Sequence, residues 1–385
     1  MMDKNKTRNI GIYVHIPFCI SKCYYCDFTS YTNKQEYIEK YIKCVNKEIE
    51  YEAKIARIVT TIYIGGGTPS SIDEKYIATI LSTIYKNYKV IDNAEITIEV
   101  NPGTCTLKKL KAYKKMGINR LSIGLQSAND NLLKEIGRIH NFDDYKKTIE
   151  YAKKAGFKNI STDIIIGLPN QTIYDVEDTL NKLIDLEIKH ISVYSLIVEE
   201  NTKMNELINS NKLKLPDDEI ERYMYWFAKR KLEDNGFIHY EISNFALPGY
   251  MSIHNMDCWS QKKYYGFGVA AASFIGNKRF TNTNSIETYI KNIENGKFLA
   301  NRNIDEVLND EDMQKEYIML GLRKISGFNI YDFIKKFNKN PLLEYDKKFD
   351  KLFKEKLIEI DYGDLNIKLT KKGLDFANIV WEEFV

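Results

Sequence analysis

Residues 10–28 read IGIYVHIPFCISKCYYCDF. The first part, Ile10 to Ile16, is dense in β-branched and aromatic residues, the composition of a strand. The second part carries Cys19, Cys23 and Cys26, three thiols inside eight residues with the spacing C-x3-C-x2-C. Such a loop has three readings. Disulfides are disfavoured, because the motif is odd and six cysteines in 385 residues are too sparse for a cross-linked scaffold. That usage suits a reducing cytosol. A structural zinc ion needs a fourth ligand. An iron–sulfur cluster is usually held by four cysteines. Asp27 and Phe28 follow the triad, so a four-iron cluster here keeps one iron open to a small molecule.

Strand-like runs recur downstream at Thr60 to Ile64, Glu95 to Val100, Arg120 to Gly124, Asn159 to Ile166 and His190 to Ile197. Helical spacing lies between them. It runs from Lys34 to Ala56, with Tyr37, Ile38, Tyr41, Ile42, Val45 and Ile49 on one face, and from Asp73 to Tyr88. It resumes from Thr106 to a stop at Gly117, through to Gly156 with a break near Gly137, and from Thr172 to Glu187. Six strand–helix units predict an α/β fold with a parallel sheet and right-handed crossovers, closing into a full or partial barrel. In such folds chemistry gathers on the loops after the strands.

After Ile197 the regularity breaks. A helix is expected from Asp217 to Asp234 and a strand from Phe237 to Ile242, then a loop-rich stretch to Asn277. Leu357 to Leu369 reads as a hairpin turning at Gly363-Asp364. With the surrounding helices it predicts a mainly helical, winged-helix-like C-terminal domain. The expected divisions are 1–205 for the barrel, 206–295 for an extension and 296–385 for the terminal domain.

Polar groups do follow the strands. Gly65-Gly66-Gly67-Thr68 ends the second run; alone, it is a tight turn, but glycines also let backbone approach a ligand closely. Glu99 ends the third run and suits ribose hydroxyls or an ammonium. Gln126 ends the fourth, Arg138 follows it in Gly137-Arg138-Ile139-His140-Asn141, and Asp163 lies in the fifth. Each alone is unremarkable, but together they place polar groups on one face after consecutive strands, as a pocket requires. Cys44 and Cys105 stand outside any motif and read as ordinary buried thiols.

Composition narrows the class. With 56 Lys+Arg against 53 Asp+Glu the net charge is only +3, too even for a protein that coats nucleic acid. Lys335 to Lys356 holds eight lysines against four acids, which reads as a solvated face. No uncharged run reaches the ~18–20 residues of a membrane span. Met1 to Lys6 lacks the apolar segment of a signal peptide, and the expected compartment is the cytoplasm.

The cysteine spacing after a first strand resembles the signature of the radical S-adenosylmethionine (SAM) superfamily. The wider set YVHIPFC, KCYYCDF, IYIGGGTPS, ITIEVNPGT, RLSIGLQS, GRIHN, DIIIGLPNQT, YEISNFA and HN-x-x-x-W resembles the coproporphyrinogen III oxidase-like branch, and within it the HemW-type heme chaperones. The resemblance implies a partial (β/α)6 radical-SAM barrel. It places a [4Fe–4S] cluster on Cys19, Cys23 and Cys26, and SAM on Tyr13, Tyr25, Gly66, Gly67, Thr68 and Glu99. A second SAM of the oxidase branch would fall on Gln126, Arg138 and Asp163. The reduced cluster would cleave SAM to a 5′-deoxyadenosyl radical.

Two positions separate the branches. The oxidases carry a further cysteine where this chain has Phe28. The chaperones carry His-Asn-x-x-Tyr-Trp, met here by His254, Asn255 and Trp259, with Cys258 in the tyrosine's place. An imidazole or a thiolate can ligate heme iron, so His254 and Cys258 are the heme candidates. The resemblance thus implies heme as cargo, respiratory acceptor proteins or donors of heme or iron as partners, and a monomer or dimer in peripheral contact with a membrane. The other function it allows is oxygen-independent coproporphyrinogen III oxidase, which decarboxylates propionates to vinyls.

Overall fold

The computed structural model describes residues 9–54 and 57–385. The expected end of the first helix at Ala56 and the residues from Met1 to Lys6 lie outside the described residues.

Six strands alternate with helices as expected. They are β1 (Asn9–Ile16), β2 (Ile58–Gly66), β3 (Lys89–Val100), β4 (Arg120–Gln126), β5 (Asn159–Ile166) and β6 (His190–Ser195). All five pairings between neighbours are parallel. The intervening helices are α1 (Ile38–Glu52), α2 (Glu74–Asn87), α3 (Leu107–Lys115), α4 (Asp130–Glu135), α5 (Phe142–Lys154) and α6 (Ile173–Asp185). Each helix from α2 to α6 starts on a side-chain cap, from Asp73, Thr106, Asn129, Asn141 or Thr172, which satisfies amides that the first turn leaves unpaired. One helix face and one sheet face bury Ile12, Val14, Ile62, Ile64, Ile98 and Ile123 in a continuous core.

The stretch read as loop-rich is not one. After α7 (Lys203–Asn209) and α8 (Asp218–Glu233) come β7 (Ile238–Glu241), β8 (Asn244–Ala246), α9 (Ile253–Trp259), β9 (Tyr264–Phe267), β10 (Ala272–Ile275) and β11 (Lys278–Asn282). With β12 (Arg302–Val307) these strands extend the same sheet at both edges, in the order β12-β11-β10-β9-β1-β2-β3-β4-β5-β6-β8-β7. β9 is parallel to β1, and β8 is antiparallel to β6. Strands of three to six residues are too short to show a period; their partners lie far away in sequence, so only pairing reveals them.

Buried Glu48 of α1 secures the added edge. Its carboxylate accepts from the Gly268 amide (2.9 Å), Asn282 Nδ2 (2.8 Å) and Tyr289 Oη (2.6 Å). The boundary expected at 296 moves accordingly, because β12 belongs to the large sheet. The separate C-terminal core, with Ile318, Phe328, Phe333, Phe349, Leu352 and Ile367, draws on residues from Ile318 onward. There β13 (Phe328–Asn329), β14 (Ile358–Asp361) and β15 (Asn366–Leu369) form a small antiparallel sheet, β13-β15-β14, among helices. No helix among the described residues is long and apolar enough to cross a membrane.

Candidate functional site

The cysteine loop is pinned where the strands end. Its two ends pair with each other, Tyr31 N to Pro17 O (2.7 Å) and Cys19 N to Tyr31 O (2.9 Å). Its middle is held from the opposite wall, where Tyr24 N donates to Ile136 O (3.0 Å) and Tyr24 O accepts from Met204 N (2.7 Å). Cys19 is buried, whereas Cys23 and Cys26 are partly exposed. Burial pushes the Cys19 and Cys26 thiols above their ordinary range, so bare thiolates are costly there and a metal that takes the proton's place removes the cost. No three His, Cys, Asp or Glu side chains among the described residues converge as on a single ion. Three thiols on one loop are a donor set that an iron–sulfur cluster accepts.

The three glycines after β2 each make room for a different side chain. A Cβ at Gly65 would meet Glu99 Oε1 at 2.9 Å, at Gly66 the His15 ring at 2.9 Å, and at Gly67 Cys19 Sγ at 2.8 Å. Real Cβ atoms do not tolerate such approaches. Gly66 also has φ +119°, closed to other residues. The run is therefore more than a turn. Thr68, next in line, has its hydroxyl 3.5 Å from Cys19 Sγ.

From Thr68 a polar belt crosses the strand ends. Asn101 Nδ2 donates to Thr68 Oγ1 (2.9 Å), and Arg138 donates to Asn101 Oδ1 (2.8 Å), the Gly124 carbonyl (2.6 Å) and Cys23 Sγ (3.4 Å). Tyr25 lies against both Cys23 and Arg138. Gln126 adopts φ +72° at an irregularity in the pairing of β4 with β5. Strain of that kind persists only where surroundings enforce it. The expected residues Cys19, Cys23, Tyr25, Gly67, Thr68, Gln126 and Arg138 thus gather at one end. Asn101, which the sequence did not single out, ties them together.

Below this belt the barrel lumen is polar. Glu99 accepts from Tyr63 Oη (3.0 Å) and from the Gly66 amide (3.0 Å). Asp163 accepts from Ser122 Oγ (3.2 Å). Tyr13 Oη and His15 Nδ1 are 2.9 Å apart. Arg120, almost wholly buried, influences Glu99 and Asp163, and its Nε has no partner. Burial and, secondarily, Asp163 hold Glu99 up at about 7, against the pull of Tyr63, Gly66 and Arg120. Asp163 is also raised, chiefly by burial. Tyr194 in β6 keeps 41% of its surface accessible although β5 and β8 flank it. Sequence reasoning missed His15, Tyr63, Arg120 and Tyr194. A signal existed: Thr61, Tyr63 and Gly65 alternate with Ile62 and Ile64, and Thr97 and Glu99 with Ile96 and Ile98. A parallel strand between apolar layers does not alternate; one facing a polar lumen does.

His254 and Cys258 are not at the mouth. His254 is 7% exposed, with Nδ1 2.8 Å from Thr61 Oγ1 and its ring 5.3 Å from that of Tyr63. Glu95 grips the start of α9, accepting from the Ile253 (3.0 Å) and His254 (2.9 Å) amides. Burial drops the His254 imidazole to about 4. His254, a heme candidate from the sequence, thus lies in the packing between α9 and β2. On the same helix, burial pushes the Cys258 thiol up to about 12.

A sheet of parallel strands with a cysteine loop after the first and glycines after the second defines a radical-SAM protein, and residues 13–183 match the Radical SAM superfamily. Membership of that superfamily implies an iron–sulfur cluster and SAM. The heme chaperone HemW of Bacillus subtilis (strain 168) is 37% identical over 379 residues, 97% of this chain and 98% of that one. The heme chaperone HemW of Lactococcus lactis subsp. lactis (strain IL1403) is 36% identical over 375 residues, 97% and 96% of the two chains. The chain belongs to the HemW family. Its fold is shared by coproporphyrinogen III oxidase (HemN) from Escherichia coli, with a TM-score of 0.86 over 99% of this chain and 91% of that one at 22% identity.

Proposed function

We propose that this chain is a heme chaperone: it binds heme and delivers it to heme-requiring acceptor proteins. The observation that carries this reading is the end-to-end likeness to relatives named heme chaperones. In the same reading Cys19, Cys23 and Cys26 hold a [4Fe–4S] cluster, and the thiol chemistry of their loop supports it. Tyr13, Tyr25, Gly66, Gly67, Thr68 and Glu99 take SAM. Gln126, Arg138 and Asp163 take a second SAM or complete the pocket. When bound and reduced, the cluster supplies an electron for cleavage of the SAM sulfonium.

The chain's own residues do the positioning. Gly67 lets Cys19 lie against the strand end, Arg138 steadies Cys23, and Glu99 offers a carboxylate inside a closed wall. Phe28, where the oxidases carry a cysteine, favours cargo handling over porphyrinogen oxidation.

Anaerobic reconstitution tests the reading. The loaded chain should hold roughly four irons and four sulfides, change its spectrum with SAM, take up heme, and pass it to an apo acceptor. Robust conversion of coproporphyrinogen III to a vinyl product would replace the chaperone with the oxidase.

A further inference from the structure

The large sheet and the C-terminal domain keep separate hydrophobic cores, and polar side chains join them at the sheet edge near β9. Gln261, between α9 and β9, is the hub. It is buried and holds φ +54°. Its Nε2 donates to Met313 O (3.0 Å) and Glu316 Oε2 (2.6 Å), both on the helix Asp310–Arg323. Its Oε1 accepts from Lys336 Nζ (2.6 Å) on the helix Ile330–Phe337. From the sheet, Arg279 of β11 donates to Glu316 Oε1 (2.7 Å).

Beside the hub stands an amine without an acceptor. Lys263 Nζ is shut off from solvent and has no hydrogen-bond partner among the described residues. It rests 3.3 Å from the centroid of the Phe274 ring, which it shares with the Arg279 guanidinium at 4.3 Å. Three charged groups face it from the elements around it: Lys336 and Arg279 repel a proton there, and Glu316 attracts one. Glu316 is already bonded to Arg279 and Gln261, so one carboxylate serves three cations. On the flanking turn Asp257 is matched by Lys262 (2.5 Å), and burial keeps the Cys258 thiol and the Tyr264 phenol protonated. Burial, and after it Lys336, drops the Lys263 amine to about 7. A buried amine that meets no acceptor costs least when it is neutral.

We infer that the junction between the barrel edge and the C-terminal domain is a proton-sensitive latch: with Lys263 uncharged the two parts close on Gln261 and Glu316, and a proton on Lys263 Nζ loosens them. In the closed junction that proton finds no oxygen to bond, whereas water solvates it once the junction opens. The closed form therefore binds fewer protons than the open one, and docking tightens as pH rises through about 7. Polar junctions between separate cores are where domains move.

The test is amide hydrogen exchange of the full chain across neutral pH, with rates corrected for the intrinsic pH dependence of exchange. Two amides report docking directly, because Ile242 N donates to Arg323 O (3.1 Å) and Ile325 N to Tyr240 O (3.1 Å), each across the junction. Their protection should be level below about pH 7 and rise about tenfold per pH unit above it, while β14 and β15 keep theirs. Lys263→Met, which keeps the apolar stem and removes the charge, should be protected and level throughout. Lys336→Met removes a repelling cation and should move the onset to higher pH. Lys262→Met, whose ammonium sits on Asp257, should follow the wild type. Wild-type protection independent of pH overturns the latch. So does a Lys263→Met variant that keeps the wild-type slope, or loss of β14 and β15 in step with the junction. Should Lys263→Met fail to fold, Lys336→Met decides: an onset that does not move overturns the latch equally.

Discussion

Arg138 Nη1 lies 3.4 Å from Cys23 Sγ. The guanidinium is held by Asn101 and the Gly124 carbonyl, so this donor is aimed before any metal arrives. The guanidinium thus offers Cys23 Sγ a charge-assisted hydrogen bond in a fixed direction.

Arg138→Met should load fewer irons and hold them less tightly. Hydrogen bonds to cluster sulfurs raise reduction potential, so the variant's potential should fall by tens of millivolts. Arg138→Lys should recover part of the charge but not the fixed fork. Spectroelectrochemistry on matched iron content decides this; an unchanged potential would detach Arg138 from the cluster.

Gly67→Ala should fold but fail to load. The new methyl would sit 2.8 Å from Cys19 Sγ, displacing one ligand while leaving the core intact. Far-ultraviolet circular dichroism and iron analysis are the readouts. Full iron content in Gly67→Ala would show that the cysteine loop adapts freely.

SAM binding should depend on pH through Glu99, which burial holds at about 7. Binding that uses the carboxylate must expel the proton that the free protein carries at lower pH. Affinity should therefore fall by about tenfold for each pH unit below that value. For stability the sign is opposite: a carboxylate raised by folding favours the folded state at low pH, and this contribution is lost as pH rises through about 7. Calorimetry in buffers of different protonation enthalpy measures the proton released. Affinity independent of pH, with no proton release, would remove Glu99 from the ligand.

His254→Ala should lower stability and leave heme spectra unchanged. It deletes a buried ring and its bond to Thr61, at a cost of about 1–3 kcal/mol. Glu95→Ala should cost a similar ~2 kcal/mol by uncapping α9. Denaturant midpoints and heme titrations should be compared side by side. Lost heme at unchanged stability would restore His254 as a ligand.

The primary structure alone determined whatever is local. The Cys19–Cys23–Cys26 spacing, the caps and periods of α2 to α6, and the residues that end β1 to β5 are set by neighbours within a few positions. Six strand–helix units then have few ways to pack, and so the barrel and the end that bears the site were legible. Tertiary structure alone decided what depends on distant partners. It turned short segments between Asn244 and Val307 into sheet edges, because their hydrogen bonds are supplied by strands far along the chain. It showed that Gly65, Gly66 and Gly67 yield to Glu99, His15 and Cys19. It packed His254 of α9 against Thr61 and Tyr63 of β2, since whether a histidine meets solvent or a packed wall depends on which surfaces the fold brings against it.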